Sequence, residues 1–469
     1  MEKALRASVL WFIGWFVAGA VAFDAAAQSP ASPEAALAAY VAKPDTSYTW
    51  RVQRRYRHPD ADVLELHLES QTWQGTLWKH QLLLVRPHRV RDERHAALVI
   101  GGGRWHPEYE TATDDTELPE EAALFVAIAT ALRSTVVVLG QVPFQPLFDL
   151  SEDRLIAHSF ERFLATGDTE WPLLLPMVKS AVRALDASSA AAAVEWGAPL
   201  ERFTVLGGSK RGWTTWLLAA VEPRVTALAP IVIDALNMER HFPHQTEVWG
   251  APSEEIRPYT DLNLDTVLGS AAGAPLRAIV DPYSYRDAIA QPKLVVLATN
   301  DAYFPLDSAN LYWDGLRGPK YLLYLPNEPH SIEHYGPFVR ALRALHAATD
   351  GGTPLPALAW QFRHDSGAST LCVRSQPGAR ALKLWQATSA DRDFRDETWR
   401  ILEERNASGG EFTLPVPTTG YVAVFVEADF GRGRRAFPLS TNLAVLGAAG
   451  EPPYGPLPHG EPGVCAGGP

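Results

Sequence analysis

The chain has 469 residues, 46% of them hydrophobic and 20% charged. That is a globular composition, long enough for one large domain and a smaller one. A formal net charge of -12 argues against a nucleic-acid partner and fits an acidic, solvated surface.

The first 27 residues read as a signal peptide. Lys3 and Arg6 form a basic start, Ala7 to Phe23 is apolar, and Ala25-Ala26-Ala27 offers a small-residue cleavage site. The alternative is an uncleaved anchor, since the apolar stretch falls only slightly short of the roughly 20 residues that span a bilayer. Cleavage leaves no integral membrane span and predicts a periplasmic or secreted protein. From Ser47 to Pro87, alternating apolar and polar residues predict antiparallel strands. Ala96–Ile100 then forms a buried strand leading into Gly101-Gly102-Gly103, a helix runs from Pro119 to Leu132, and Thr135–Leu139 is the next strand. Helices follow over Asp153–Leu164 and Pro172–Leu185, then the strand Phe203–Leu206, the glycine-flanked serine Ser209, and a helix from Trp213. Ala227–Ile233 is a further strand. Continuous apolar strands alternating with helices predict a mostly parallel sheet covered on both faces.

The alternation lapses over residues 237–291, which hold His241, His244, Trp249 and Tyr259. A long segment at this point is read as a cap over a site. Strands resume at Lys293–Ala298 and Lys320–Tyr324, and a helix from Ile332 to about Ala348 closes the domain. After the linker Asp350–Pro354, short strands such as Ala357–Phe362, Leu371–Val373, Ala381–Trp385 and Tyr421–Val426 predict a β-sandwich-like domain over residues 354–449. A Pro/Gly-rich tail occupies 450–469. The two cysteines, Cys372 and Cys465, can close one disulfide in an oxidising compartment or remain two thiols. Asn406-Ala407-Ser408 is a glycosylation sequon.

The chemistry centres on Ser209. A hydroxyl is a weak nucleophile and needs a base with a carboxylate behind it. Ser209, Asp301 and His330 each follow a predicted strand, in the chain order serine, acid, histidine of the α/β-hydrolase fold. Asp234, at the end of the preceding strand, is the rival acid. Asp307 is read as the cap of a helix Ser308–Trp313. The backbone of Lys210 and of the run Gly102, Gly103, Arg104 is the expected oxyanion hole, and Arg211, Trp105 and Gln141 are the expected substrate contacts. The fold class predicted is thus an α/β-hydrolase domain over residues 28–349, with a cap insertion at about 237–291, plus the smaller C-terminal β-sandwich-like domain. No cofactor is expected. His330-x-x-Glu333-His334 also matches an inverted zinc-peptidase motif, which would place both histidines on one helix face with Glu333 as base.

Several spaced segments resemble the PhoPQ-activated pathogenicity-related protein family. They include Gly208-Ser209-Lys210-Arg211-Gly212-Trp213, Gln141-Val142-Pro143-Phe144, Asp234-Ala235-Leu236-Asn237-Met238, Asp281-Pro282-Tyr283-Ser284-Tyr285, Asn300-Asp301-Ala302-Tyr303-Phe304 and Pro326-Asn327-Glu328-Pro329-His330. The resemblance runs from about Ala36 through most of the chain and implies an exported α/β-hydrolase. Arg211 departs from the general G-x-S-x-G pattern, though the family carries arginine there. Its side chain favours an anionic substrate or pairs with a neighbouring carboxylate. The expected function is ester or amide hydrolysis on a small-molecule or peptide substrate. The alternative is a catalytically silent binding protein on the same scaffold. The sequence sets no oligomeric state.

Overall fold

The structure, a computed structural model, describes residues 32–110, 118–120, 122–365, 368–448 and 463–465. The expected signal peptide and nearly all of the expected tail lie outside the described residues. Among the described residues, no helix is long and apolar enough to cross a membrane.

After α1 (Ala36–Ala42), three long strands form an antiparallel meander: β1 (Thr49–His58), β2 (Ala61–Trp73) and β3 (Thr76–Pro87). The parallel part follows: β4 (His95–Ile100), α2 (Ala122–Leu132), β5 (Thr135–Leu139), α3 (Glu152–Thr166), α4 (Leu174–Trp196), β6 (Arg202–Gly208), α5 (Lys210–Val221) and β7 (Val225–Ile231). Between β7 and β8 lie four helices, α6 (Met238–Trp249), α7 (Arg257–Thr260), α8 (Leu264–Leu268) and α9 (Ala274–Val280). Strand β8 (Lys293–Asn300), strand β9 (Lys320–Pro329) and helix α10 (Gly336–Thr349) complete this part.

The strand order β1-β2-β3-β5-β4-β6-β7-β8-β9 is that of an α/β-hydrolase sheet with one extra strand at its antiparallel edge. The pairs from β5 through β4, β6, β7 and β8 to β9 are parallel. Strands buried on both faces carry no polar alternation, and all five residues of β5 are buried. The core runs along these strands through Leu98, Val137, Val205, Ala229, Val296 and Leu323. Burying one such leucine or valine stabilises the fold by roughly 1.5–3 kcal/mol.

Two boundaries differ from the sequence reading. Helix α4 continues to Trp196 rather than ending near Leu185, because alanines sustain it. Helix α10 starts at Gly336, not Ile332. The Glu328 carboxylate accepts the backbone N–H of Glu333 at 2.7 Å and of His334 at 3.3 Å, which holds that stretch as a loop.

The C-terminal strands are β10 (Ala357–Asp365), β11 (Ala368–Gln376), β12 (Ala381–Ser389), β13 (Arg400–Arg405), β14 (Gly409–Leu414), β15 (Tyr421–Phe430), β16 (Phe437–Ser440) and β17 (Ala444–Gly447). They fall into two sets. Strands β10, β11 and β14 form a separate three-stranded sheet. The rest join the hydrolase sheet, since β16 pairs with β9 through Ser440 and Leu322, and β15, β12 and β13 follow outward. The described residues from Ser32 onward form one compact unit. Cys372 on β11 and Cys465 are joined by a disulfide with Cα atoms 5.3 Å apart.

Candidate active site

Strand β6 delivers Ser209 to the start of α5. The serine has φ 54° and ψ -126°, outside helix and sheet regions, a conformation costing of order 1–3 kcal/mol. It is held on both sides: its N–H donates to Ile231 O at 2.8 Å, and its C=O accepts from Trp213 N at 3.0 Å. The turn is so tight that a Cβ at Gly207 would lie 2.6 Å from Arg211 O, and one at Gly212 would lie 2.8 Å from both Gly207 O and Ile233 Cγ2. A Cβ at Gly208 would meet nothing. Glycine is therefore required two residues before the serine and three after it. Position 211 is open to a side chain, which explains why an arginine stands where the general motif has glycine.

Asp301 follows β8 and His330 follows β9, so both reach the same end of the sheet as Ser209. His330 Nδ1 lies 2.8 Å from Asp301 Oδ2 and 3.0 Å from Oδ1, and Nε2 lies 2.9 Å from Ser209 Oγ. A carboxylate only accepts, so Nδ1 is the donor and Nε2 is left to accept the serine proton. The Tyr303 ring packs on the imidazole with centroids 4.1 Å apart, and Tyr303 N donates to Asp301 Oδ1 at 2.8 Å. Tyr303 was not singled out in the sequence; its place two residues after Asp301 was the available signal.

Both loops are clasped by the C-terminal region. Asn300 Nδ2 donates to Arg395 O at 2.9 Å and to Glu397 O at 2.8 Å. Asn327 Nδ2 donates to Trp399 O at 3.1 Å, and Trp399 N donates back to Asn327 Oδ1 at 2.7 Å.

The rival acid, Asp234, is engaged elsewhere. It accepts the Tyr312 hydroxyl at 2.5 Å, and burial raises its pKa well above the usual carboxylate range, with the nearby Asp301 and Asp307 adding to the effect. Asp307 does not cap the helix after it. Its carboxylate is taken instead by His244, whose Nε2 lies 2.6 Å from Oδ1.

On the other side of Ser209, the run after β4 is fastened to the chain after β5. Val142 N donates to Gly101 O at 3.1 Å and Gln141 N to Gly102 O at 2.8 Å. Gly103 has φ +106°, a conformation glycine alone takes without strain. The Arg211 guanidinium backs this run: a Cβ at Gly102 would lie 2.5 Å from its Nη2. Arg211 Nε donates to Val142 O at 2.5 Å, and its two terminal nitrogens donate to Glu152 at 2.9 and 2.7 Å. Arg211 thus braces the glycine run against the chain after β5. Lys210 Nζ lies 3.1 Å from Glu152 and 3.0 Å from Asp153. Burial opposes ionisation of Glu152, but the hydrogen bonds and charge of Arg211, with Lys210 and Gln145, outweigh it and hold the carboxyl down at about 2.

Gln141 exchanges both amide groups with Gln81, accepting from its backbone N–H at 2.8 Å and donating to its side chain at 3.0 Å. Trp105 packs edge-on against His67 and Tyr109, and Arg104 is exposed. A small cavity opens beside Ser209, and Arg211, Trp105 and Gln141 are not among the residues lining it. Much of its wall comes from the 237–291 segment and the chain after Asp301, with Met238, His241, Phe242, Tyr259, Leu268 and Tyr303, and the rest from Asp153, Lys210, Trp213, Ile233 and Ala235. The composition of that segment signalled burial, but not which residues would face the serine.

The zinc arrangement does not form. Residues 330–335 are not helical, so His330 and His334 share no helix face. Both ring nitrogens of His330 are already engaged, and His334 Nδ1 lies 2.6 Å from Glu328. Among the described residues, one other cluster has metal-ligand types, His95, His346 and Asp350. It lies at the opposite ends of the strands from Ser209, and His95 Nδ1 lies 2.6 Å from Asp350 Oδ1 there.

The chain is similar to "Autocrine proliferation repressor protein A" from Dictyostelium discoideum, 29% identical over 433 residues that cover 83% of this chain and 85% of the relative. Among solved structures it is similar to acetyl xylan esterase 1 from Thermoanaerobacterium sp., 14% identical with a TM-score of 0.46 over 68% of this chain and 93% of that one. An acetyl xylan esterase from Paenibacillus sp. is 13% identical, with a TM-score of 0.45 over 67% of this chain and 92% of that one. The family described as "PhoPQ-activated pathogenicity-related protein" matches residues 37–395. The elbow, its arginine and the two clasped loops all fall within that span, and the chain belongs to this family.

Proposed function

We propose that this protein is an exported serine hydrolase that cleaves an ester through a covalent acyl-enzyme. The observation that carries the reading is the unbroken hydrogen-bonded chain from Ser209 Oγ through His330 to Asp301, at 2.9 and 2.8 Å. Ser209 Oγ attacks the carbonyl carbon while His330 Nε2 takes its proton. Asp301 holds the imidazole's tautomer and steadies the imidazolium. The developing oxyanion is met by backbone N–H groups of Lys210 and of the Gly102–Arg104 run, which the Arg211 brace keeps in place. Collapse of the tetrahedral adduct expels the alcohol, which takes the proton from His330. Water, deprotonated by the same imidazole, then releases the acid and restores Ser209. An ester is favoured over an amide because an alcohol leaves more readily than an amine. Export is supported by the basic and apolar N-terminus and by the Cys372–Cys465 disulfide, a bond of oxidising compartments.

A fluorophosphonate probe tests this directly. Wild-type protein is expected to be labelled at Ser209, and the Ser209→Ala and His330→Ala variants are expected to show no labelling above background. Undiminished labelling of Ser209→Ala would place the reactive group elsewhere.

A further inference from the structure

The two hydrogen bonds of the His330 imidazole, Nδ1 to Asp301 and Nε2 with Ser209 Oγ, both act through ring nitrogens. The N–H and the lone pair of those nitrogens lie in the ring plane, so the faces of the ring are left to other groups. Tyr303 packs on a face, with planes 31° apart and centroids 4.1 Å apart, whereas Phe304 stands off at 6.1 Å. Tyr303 is itself gripped through its main chain. Its N–H donates to Asp301 Oδ1 at 2.8 Å, the local turn an aspartate makes with the backbone two residues on. Its C=O accepts Gln245 Nε2 at 2.8 Å. Gln245 Oε1 in turn accepts Ser253 N at 3.0 Å, and Ser253 Oγ donates to Ala302 O at 2.6 Å. All of these bonds reach the backbone of residues 302 and 303, so they survive a change of the Tyr303 side chain.

The Tyr303 hydroxyl takes no part in proton transfer. Burial, then the charges of Asp153, Glu255 and Asp301, with a hydrogen bond to Glu255, push its pKa up to about 12, so the phenol stays protonated. What it offers His330 is the face of its ring. An aromatic face is the negative end of a quadrupole, and it attracts a cation placed over it within about 6 Å. His330 becomes such a cation when it takes the Ser209 proton. Of the charged groups around the ring, Asp301 is bonded to it, Lys210 is held by Glu152 and Asp153, and Glu255 meets the Tyr303 hydroxyl.

We propose that Tyr303 is a positioning residue for the base: its ring face keeps the His330 imidazole between Ser209 and Asp301 and stabilises the imidazolium formed as the serine attacks. The proposal rests on Ser209 being the nucleophile and His330 its base. The proton of Ser209 Oγ passes to His330 Nε2 as the bond from Oγ to the carbonyl carbon forms, and then passes to the leaving alcohol. Tyr303 exchanges no proton and forms no bond in either step.

The second-order rate of fluorophosphonate labelling, followed between about pH 5 and pH 9, tests this, since it needs the same proton transfer and no knowledge of the substrate. Tyr303→Phe keeps the ring. Tyr303→Leu and Tyr303→Met keep an apolar side chain and the main-chain bonds but have no aromatic face. The two aliphatic variants are expected to be labelled roughly 10-fold more slowly than wild type, with the pH of half-maximal rate lowered by about half a unit. Tyr303→Phe is expected to stay within about 2-fold of wild type in rate and to keep its midpoint. Melting temperature reports that each variant is folded in the assay. Aliphatic variants with the wild-type rate and midpoint overturn the assignment. So does a slower rate with an unchanged or raised midpoint, which loss of packing or entry of water would produce, and so does a Tyr303→Phe variant as slow as Tyr303→Leu. Wild-type protein that is not labelled at Ser209 overturns the serine hydrolase reading instead.

Discussion

Arg211 sits beside the proposed nucleophile but points away from the cavity, into Glu152 and Val142 O. Of the two roles left open for it by the sequence, pairing with a carboxylate is the one the contacts describe. The reason could not be read locally, because Glu152 lies 59 residues earlier and is brought in by α3. The pairing has a pH signature. Unfolded, Glu152 titrates near 4.5, and in the fold it is held at about 2. A carboxyl with a depressed pKa stabilises the fold above its unfolded value and loses that contribution as pH falls toward the folded one. The difference in urea midpoint between wild type and Glu152→Gln is therefore expected to be largest above about pH 4.5 and to shrink steadily toward about pH 2. A difference that stays constant over this interval would mean that charge plays no part. Ser209, Asp301 and His330 were legible in the sequence because each follows its own apolar strand, and strand ends in a parallel sheet gather at one edge. The contacts of Gln141 with Gln81 and of Trp105 with His67 join residues far apart in the chain, so no local pattern announces them.

At the scale of elements, the strands β4 to β9 were legible because burial on both faces writes continuous apolar runs. The pairing of β16 with β9 was not, since a register of one residue pair leaves no pattern in either strand. The same is true of the contacts that hold the loops after β8 and β9. Asn300 and Asn327 reach backbone groups of residues 395–399, about a hundred and about seventy positions away. Removing the Asn327 amide leaves part-buried peptide groups of Trp399 unpaired and frees the loop carrying the proposed base. Asn327→Ala is expected to lower kcat on a simple nitrophenyl ester by about 10-fold, from the cost of misplacing a reacting group, with little change in KM. Single-turnover kinetics would check it; unchanged kcat would show that the β9 loop holds its shape without Trp399.

At the scale of the whole molecule, four of the buried histidines among the described residues are held well below their ordinary value. Burial pushes His80 and His95 down to about 4, and His241 and His346 down to about 3. Unfolded, each takes a proton near 6.5. The unfolded chain therefore binds more protons below that pH, and stability falls as the solution is acidified from about 6.5 toward about 4. The slope is at most about 1.4 kcal/mol per pH unit for each imidazole. Denaturant midpoints measured across this interval should decline, and replacing the stacked pair His95 and His346 with neutral residues should flatten the decline if the variant folds. A flat wild-type profile would show that these rings are solvated in the fold.

The joining of β16 to β9 bears on aggregation while the chain is being made. A hydrolase sheet that stopped at β9 would present a row of unpaired N–H and C=O groups, and such a rim is a template for a strand from another molecule. Here that rim is met by the chain's own residues 437–440, through Ser440 opposite Leu322, and these are synthesised after β9. Until they arrive, the nearly complete sheet has an open side. A chain cut after Gly352 would keep Ser209, Asp301 and His330 yet never cover that side. It is expected to sediment with aggregates at concentrations where the full-length protein remains dispersed. Equal dispersity in light scattering would show that some other element shields the rim.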